Sequence, residues 1–256
     1  MTSPQQPLVF YDIASGPPIR CFAPNPWKTR YALNFKRLPY RTEWVDMPDI
    51  PRVRASLGVA AVRKHADGTP FYTLPVLQDA SRGRLVGDSF DIAVYLDSTY
   101  PDRSENETQR RLLLFPPGAQ ALSKAFNTYV DGLFTAAVPL FAHGMPLNPD
   151  TAAATKAEMC RRLGLRDWEE AGVRGEARGK MLRALEGSLE GLAEAYRRTK
   201  GPFLEGGLEP SYADFVVGAW LVTFSICCPE WEALRGWQGG VWGRLHDALE
   251  PYRKGE

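Results

Sequence analysis

The sequence predicts an α/β domain over residues 1–100 followed by an all-α domain over residues 108–256. Three observations carry that expectation. Up to residue 100, short β-prone apolar runs alternate with segments of helical periodicity. Residues 100–106 (YPDRSEN) are then polar, contain a proline and show no periodicity, as a linker should. Beyond them every periodic segment is helical.

Residues 8–13 (LVFYDI) form the first β-prone run, ended by Ala14-Ser15-Gly16-Pro17-Pro18. Asn25-Pro26 reads as a helix start, with Asn25 as N-cap and Pro26 at the first helical position. Trp27, Tyr31, Ala32, Phe35 and Leu38 recur at helical spacing, and Pro39 ends that helix. Residues 40–45 alternate as a strand, residues 50–57 form a short helix, and residues 64–70 form a polar turn. Residues 72–78 and 84–87 read as two strands around a turn carrying Ser81 and Gly83, and a helix opens at Asp88-Ser89. The order β-α-β-α-β-β-α fits a thioredoxin-like domain, a mixed sheet with helices on both faces.

In the second half, residues 119–140 read as one long amphipathic helix with Leu122, Phe126, Tyr129, Leu133 and Phe134 on a common side. Residues 143–149 break it, and helical patterns resume over 152–163 and 180–196. In PSYADFVVGAWLVTF (210–224), Ser211 is an N-cap candidate and Asp214 stands three residues on, a capping-box arrangement that opens an apolar core helix. Its role is structural. Residues 250–256 read as a frayed tail.

Hydrophobic content of 44% and charged content of 24% are those of an ordinary globular protein. A formal net charge of +1 without a basic block excludes a nucleic-acid surface. Residues 1–7 lack the charged and apolar regions of a secretory signal. The longest apolar run, 215–228, is shorter than the roughly 20 residues of a bilayer span. Cys21, Cys160, Cys227 and Cys228 make no Cys-x-x-Cys pair, and adjacent Cys227-Cys228 suits neither a bridge nor a metal. His65, His143 and His246 are scattered and read as surface or loop residues. The expectation is a reduced, cytoplasmic protein with no metal, no membrane contact and no nucleic-acid partner.

Two features between residues 71 and 100 exceed what a scaffold needs. Pro75 sits inside an apolar β run, where it removes a ladder donor. Asp88-Ser89-Phe90-Asp91 opens a helix whose free N–H groups and dipole favour an anion. Together they can hold a small peptide by its backbone and its carboxylate.

The run TLPVL, a turn and DSFDIAVYLD resemble the glutathione-binding half of glutathione transferases, and Ser211-x-x-Asp214 resembles a feature of their helical domain. PNPWKTRYALNFKRLPYRTEWV is similar to the fungal-specific class A (FuA) of that family, itself similar to bacterial β-aryl ether-cleaving transferases. The resemblance covers nearly the whole chain. It implies glutathione as co-substrate, conjugation or ether cleavage of aromatic or phenolic compounds, and a homodimer. It implies a cis Leu74-Pro75 bond, Leu74 backbone groups pairing with the cysteinyl part of glutathione, and Asp88-Ser89 receiving its γ-glutamyl end. Phe126 and Tyr129 would line the cleft for the hydrophobic partner.

An unperturbed thiol, pKa about 8.5, is only a few per cent thiolate at neutral pH, so the protein must favour the anion. The class carries Trp-Ser before Pro-Asn-Pro-Trp-Lys; here the pair is Phe22-Ala23, and Ala23 has no donor. Substitutes stand nearby: Cys21 as a redox thiol or a small buried residue, the Asn25 side-chain amide, and the backbone N–H groups of Trp27 and Lys28. Three functions follow from these: a transferase, a non-catalytic binder of hydrophobic phenolics, and a Cys21-based thiol oxidoreductase.

Overall fold

The computed structural model describes residues 7–65, 67–101 and 112–253. The expected linker lies mostly in 102–111, outside the described residues. The first domain is built on strand β1 (Leu8–Ile13), which pairs parallel with β2 (Tyr40–Val45) through the crossover helix α1 (Pro24–Phe35). On its other side β1 pairs antiparallel with β5 (Val76–Asp79), and β5 with β6 (Arg84–Val86), giving the order β2-β1-β5-β6. Helix α2 (Ile50–Ser56) follows β2, and α3 (Ser89–Thr99) follows β6. This is the thioredoxin-like arrangement expected from the element order.

Local chemistry shifts several boundaries. The segment read as a polar turn holds a small separate hairpin, β3 (Arg63–Lys64) against β4 (Pro70–Phe71). Residues 72–75 lie outside the main ladder, which begins at Val76, because Pro75 has no N–H to donate. Helix α1 starts two residues early, with Ala23 at the N-cap position and no side-chain cap, so Asn25 is not its N-cap. It ends at Phe35: Arg37 adopts φ 53° and the Leu38 N–H returns to the Leu33 carbonyl at 3.1 Å.

The second domain is helical: α4 (Gln120–Thr135), α5 (Ala152–Leu163), α6 (Gly175–Ser188), α7 (Glu190–Arg197), α8 (Tyr212–Cys227) and α9 (Trp231–Ala248). Helix α4 stops at Thr135 instead of reaching Leu140. Pro139 lacks an N–H and its ring would press on the Thr135 carbonyl, so short turns replace the helix. The Ser211–Asp214 capping box is present, and the buried Asp214 carboxylate also accepts from the Tyr196 hydroxyl and the Leu204 N–H. Helix α8 is apolar on all sides because it is the hub of the core, stacking Phe215 on Tyr31 of α1 with ring centroids 5.3 Å apart. Gly218 permits that approach: a Cβ there would lie 2.2 Å from Leu249.

The described part of the C-terminal segment, through Arg253, is not frayed. Its Tyr252 carbonyl accepts from Asn34, and its ring packs on Phe35 and Phe215, so it closes over α1. His246 is buried in α9 against Trp231, 4.7 Å between centroids, rather than at the surface. Among the described residues no helix is long and apolar enough to cross a membrane, and no group of acidic, His and Cys side chains is placed to hold a metal.

Candidate functional site

Where the two domains meet, a cavity of about 370 Å³ opens between the Thr73-Leu74-Pro75 turn, the start of α3, the start of α1 and one face of α4. Leu74-Pro75 is cis. The Leu74 backbone stands beside the ladder rather than in it, and Leu74 lines the cleft. Asp88 is the N-cap of α3, its carboxylate accepting from the Phe90 and Asp91 N–H groups at 3.0 and 3.4 Å. Ser89 follows at the first helical position and is buried against the cleft wall. Leu74, Pro75, Asp88 and Ser89, the residues expected from the sequence, thus line one cavity.

The turn and the start of α3 are held by a side chain that sequence reasoning missed. Arg54 of α2 is fully buried and donates to four main-chain carbonyls: Val59, Ala60, Thr73 and Gly87. It ties the residue before Leu74 to the residue before Asp88. Burial pulls its pKa down, opposed by the nearby Asp88 carboxylate. Gly87 must be glycine here, since a Cβ would stand 2.7 Å from the Arg54 guanidinium and 2.5 Å from Val59.

On the α1 side, both Pro24 and Pro26 lack an N–H, and the Trp27 N–H already bonds the Ala23 carbonyl at 3.1 Å. Only Asn25 in the first turn keeps an N–H outside the helical ladder. The expected contribution of the Trp27 and Lys28 backbones is therefore spent inside the helix. Neither residue lines the cavity. Trp27 is a core aromatic whose indole N–H donates to the Cys21 carbonyl at 2.9 Å.

Lys28 acts from behind. Its ammonium is buried and donates to Asn25 Oδ1 at 2.9 Å and to Asp131 of α4 at 2.6 and 2.8 Å. Burial pulls its pKa down, and Asp131 opposes that. Asp131 also accepts from the Trp220 indole at 2.7 Å and the Asn127 amide at 2.8 Å. Because an ammonium can only donate, the Asn25 oxygen must face Lys28. Asn25 lines the cleft, and with its oxygen taken by Lys28 its side-chain NH₂ is the group left to donate.

Cys21 is not in the cleft. It is fully buried, and burial followed by the neighbouring Asp12 carboxylate pushes its thiol pKa well up, the reverse of what a reactive thiol needs. Phe126 and Tyr129 do not line the cavity either. The face of α4 turned to it carries Lys124, Asn127, Thr128 and Asp131, while Phe126 packs half-buried on the core and Tyr129 is 49% exposed. Periodicity placed those aromatics on one side of the helix, but the buried polar network decided which side meets the cleft. Lys124, 3.6 Å from Asp88, and Arg63 add two cations to the cavity.

The glutathione S-transferase C-terminal domain family matches residues 121–252, and the N-terminal domain family matches residues 22–99. The chain is 30% identical over 239 residues to the glutathione S-transferase-like protein ustS of Aspergillus flavus, spanning 86% of this chain and 79% of that protein. The fold superimposes on a glutathione S-transferase of Ceriporiopsis subvermispora crystallised in complex with glutathione, with a TM-score of 0.85 and 30% identity over 98% of this chain and 99% of that one. It also matches the glutathione transferase GSTFuA3 of Phanerochaete chrysosporium, with a TM-score of 0.83 and 31% identity over 99% and 100% of the two chains. With both domain families matched in order, and with solved FuA-class structures sharing its fold end to end, this chain belongs to the glutathione S-transferase family.

Proposed function

We propose that the cleft binds glutathione, holds it as thiolate with the Asn25 amide, and transfers it to aromatic electrophiles. One observation carries this reading. Asn25 lines the cavity with its oxygen held by Lys28, itself paired with Asp131, which leaves the Asn25 NH₂ as a donor beside a helix start where Ala23 has none. A hydrogen bond from that NH₂ favours the anionic sulfur. The rest of the cavity matches the tripeptide end to end. The free backbone edge of Leu74 suits the cysteinyl amide. Asp88 suits the ammonium of the γ-glutamyl end, and Ser89 with the N-terminus of α3 suits its carboxylate. Arg63 suits the glycyl carboxylate.

Calorimetry with glutathione tests the site. Ser89→Ala should weaken binding by about ten- to a hundredfold, the worth of a charge-assisted hydrogen bond. An unchanged Kd in a folded variant removes the γ-glutamyl assignment. Ala23 also favours a second reading, a binder of phenolics for which glutathione is a co-ligand. Absence of turnover with a chloronitrobenzene and with a β-aryl ether, in a protein that binds glutathione, selects it. A homodimer is supported by the outward face of α4, where Leu122 is 74% exposed beside Tyr129. A monomeric mass by light scattering refutes it.

A further inference from the structure

Helix α9 runs into a short turn, Glu250–Tyr252, that lies against α1. Several contacts seat it there. Asn34 donates to the Tyr252 carbonyl at 2.8 Å, and the Tyr252 hydroxyl donates to Glu209 at 2.7 Å. The Tyr252 ring meets Phe35 and Phe215 at 5.7 and 6.0 Å between centroids. Since α1 belongs to the first domain and α9 to the second, the turn bridges the seam between them.

Its fastening is Arg253, the next residue. Arg253 Nη1 donates to His246 Nε2 at 2.5 Å, and Nη2 donates to the His246 carbonyl at 3.0 Å. A guanidinium can only donate, so Nε2 must present a lone pair. The imidazole proton therefore sits on Nδ1, which donates to Asp247 at 3.2 Å, and the ring is neutral. Among the described residues, Arg253 from the turn and Asp247 and Arg235 of α9 bear on this ring, the last two paired with each other at 2.9 Å. Trp231 packs against it. Burial, and then the Arg253 charge, hold the imidazole pKa below its usual 6.5, with Asp247 opposing. A proton taken from solvent by Nε2 would put an N–H where the guanidinium needs an acceptor, and would set two cations face to face. The Arg253 contact cannot survive that change.

We propose that the His246–Arg253 contact is an acid-sensitive latch, which holds the C-terminal turn across α1 while His246 is neutral and releases it when His246 takes up a proton. Release frees the Asn34 amide and uncovers the Phe35 side of α1, loosening the seam without unfolding either domain.

Hydrogen–deuterium exchange on the whole chain, corrected for the intrinsic pH dependence of exchange, tests this. The amides of Tyr252 and Arg253, bonded to the Leu249 and Glu250 carbonyls, report the turn, and those of α8 report the global fold. An unrestrained imidazole at pH 5.5 is about ten parts protonated to one neutral. Protection of the turn should therefore fall about five- to tenfold from pH 7.5 to 5.5, with α8 unchanged. His246→Gln keeps an acceptor near the Nε2 position and cannot titrate, so its protection should be the same at both pH values. Arg253→Gln, at a partly exposed side chain, should show low protection already at pH 7.5. Wild-type protection that does not change with pH overturns the proposal. So does the same fall in His246→Gln, which would assign the titration to another group, and so does full protection in Arg253→Gln.

Discussion

Replacing Asn25 with alanine tests the side chain proposed to stand in for a hydroxyl at position 23. The three N–H groups of Lys28 meet three acceptors, Asn25 Oδ1 and both oxygens of Asp131. Removing the amide leaves the ammonium with its carboxylate, so the buried charge stays compensated. Asn25 is not the helix cap, and the stability cost is that of one hydrogen bond, about 1 kcal/mol. Its effect on the sulfur is larger. A hydrogen bond to an ionised acceptor is worth roughly 1.5–3 kcal/mol, and 1.36 kcal/mol is one pKa unit. The bound thiol pKa should therefore rise by about one to two units in Asn25→Ala, and conjugation at neutral pH should fall about ten- to a hundredfold. Glutathione affinity should change little, because the cysteinyl backbone and the γ-glutamyl end are held elsewhere. Asn25→Asp keeps an acceptor for Lys28 but adds a negative charge and no donor, so the thiol pKa should rise further. The assay is a pH titration of thiolate ultraviolet absorbance in the bound complex, paired with turnover of a chloronitrobenzene. A thiol pKa and a rate unchanged in Asn25→Ala, at retained glutathione affinity, would refute the assignment.

Ala23→Ser adds the hydroxyl that the resemblance to the FuA class implies and should raise conjugation about tenfold or more at little change in affinity; no gain in steady-state rate would mean that Asn25 already saturates the need. Arg54→Ala strips a fully buried side chain from four carbonyls, and should cost at least about 3 kcal/mol in urea unfolding and abolish glutathione binding; a stable variant with native affinity contradicts its role in holding the turn to α3. Glu230 is held down at about 2, first by its hydrogen bonds from Arg178. Since its pKa is lowered on folding, its stabilisation is present above the usual carboxylate value of 4.5 and is lost as pH falls from there toward 2. Glu230→Gln should flatten that part of the acid-unfolding profile, and an identical profile in the variant would exclude it.

Much of the fold was legible because its signals are local. Pro75 interrupts an apolar run, Asp88 precedes a helix it can cap, and Ser211-x-x-Asp214 closes a capping box within four residues. Each depends on neighbours within a turn or two, where covalent geometry limits the choices. The Asn25 cap failed for a related reason: a flanking Pro-Asn-Pro offers two helix starts, and packing of Phe22 and Ala23 into the core selected the earlier one. The long helix read through residue 140 failed because periodicity outlasted Pro139.

The order of strands and helices and the start of α3 at Asp88 were determined by residues close in sequence. The chemistry of the cleft was not. Lys28 meets Asp131 across 103 residues, and Trp220 meets the same carboxylate across 89. Those contacts turned the Asn25 amide, set the polar side of α4 to the cavity and pushed Tyr129 outward, while burial silenced Cys21. A helix pattern states which residues share a face, but only the packed structure supplies what that face meets. Desolvation then decides which groups ionise, because the cost of a buried charge depends on partners brought from elsewhere in the chain.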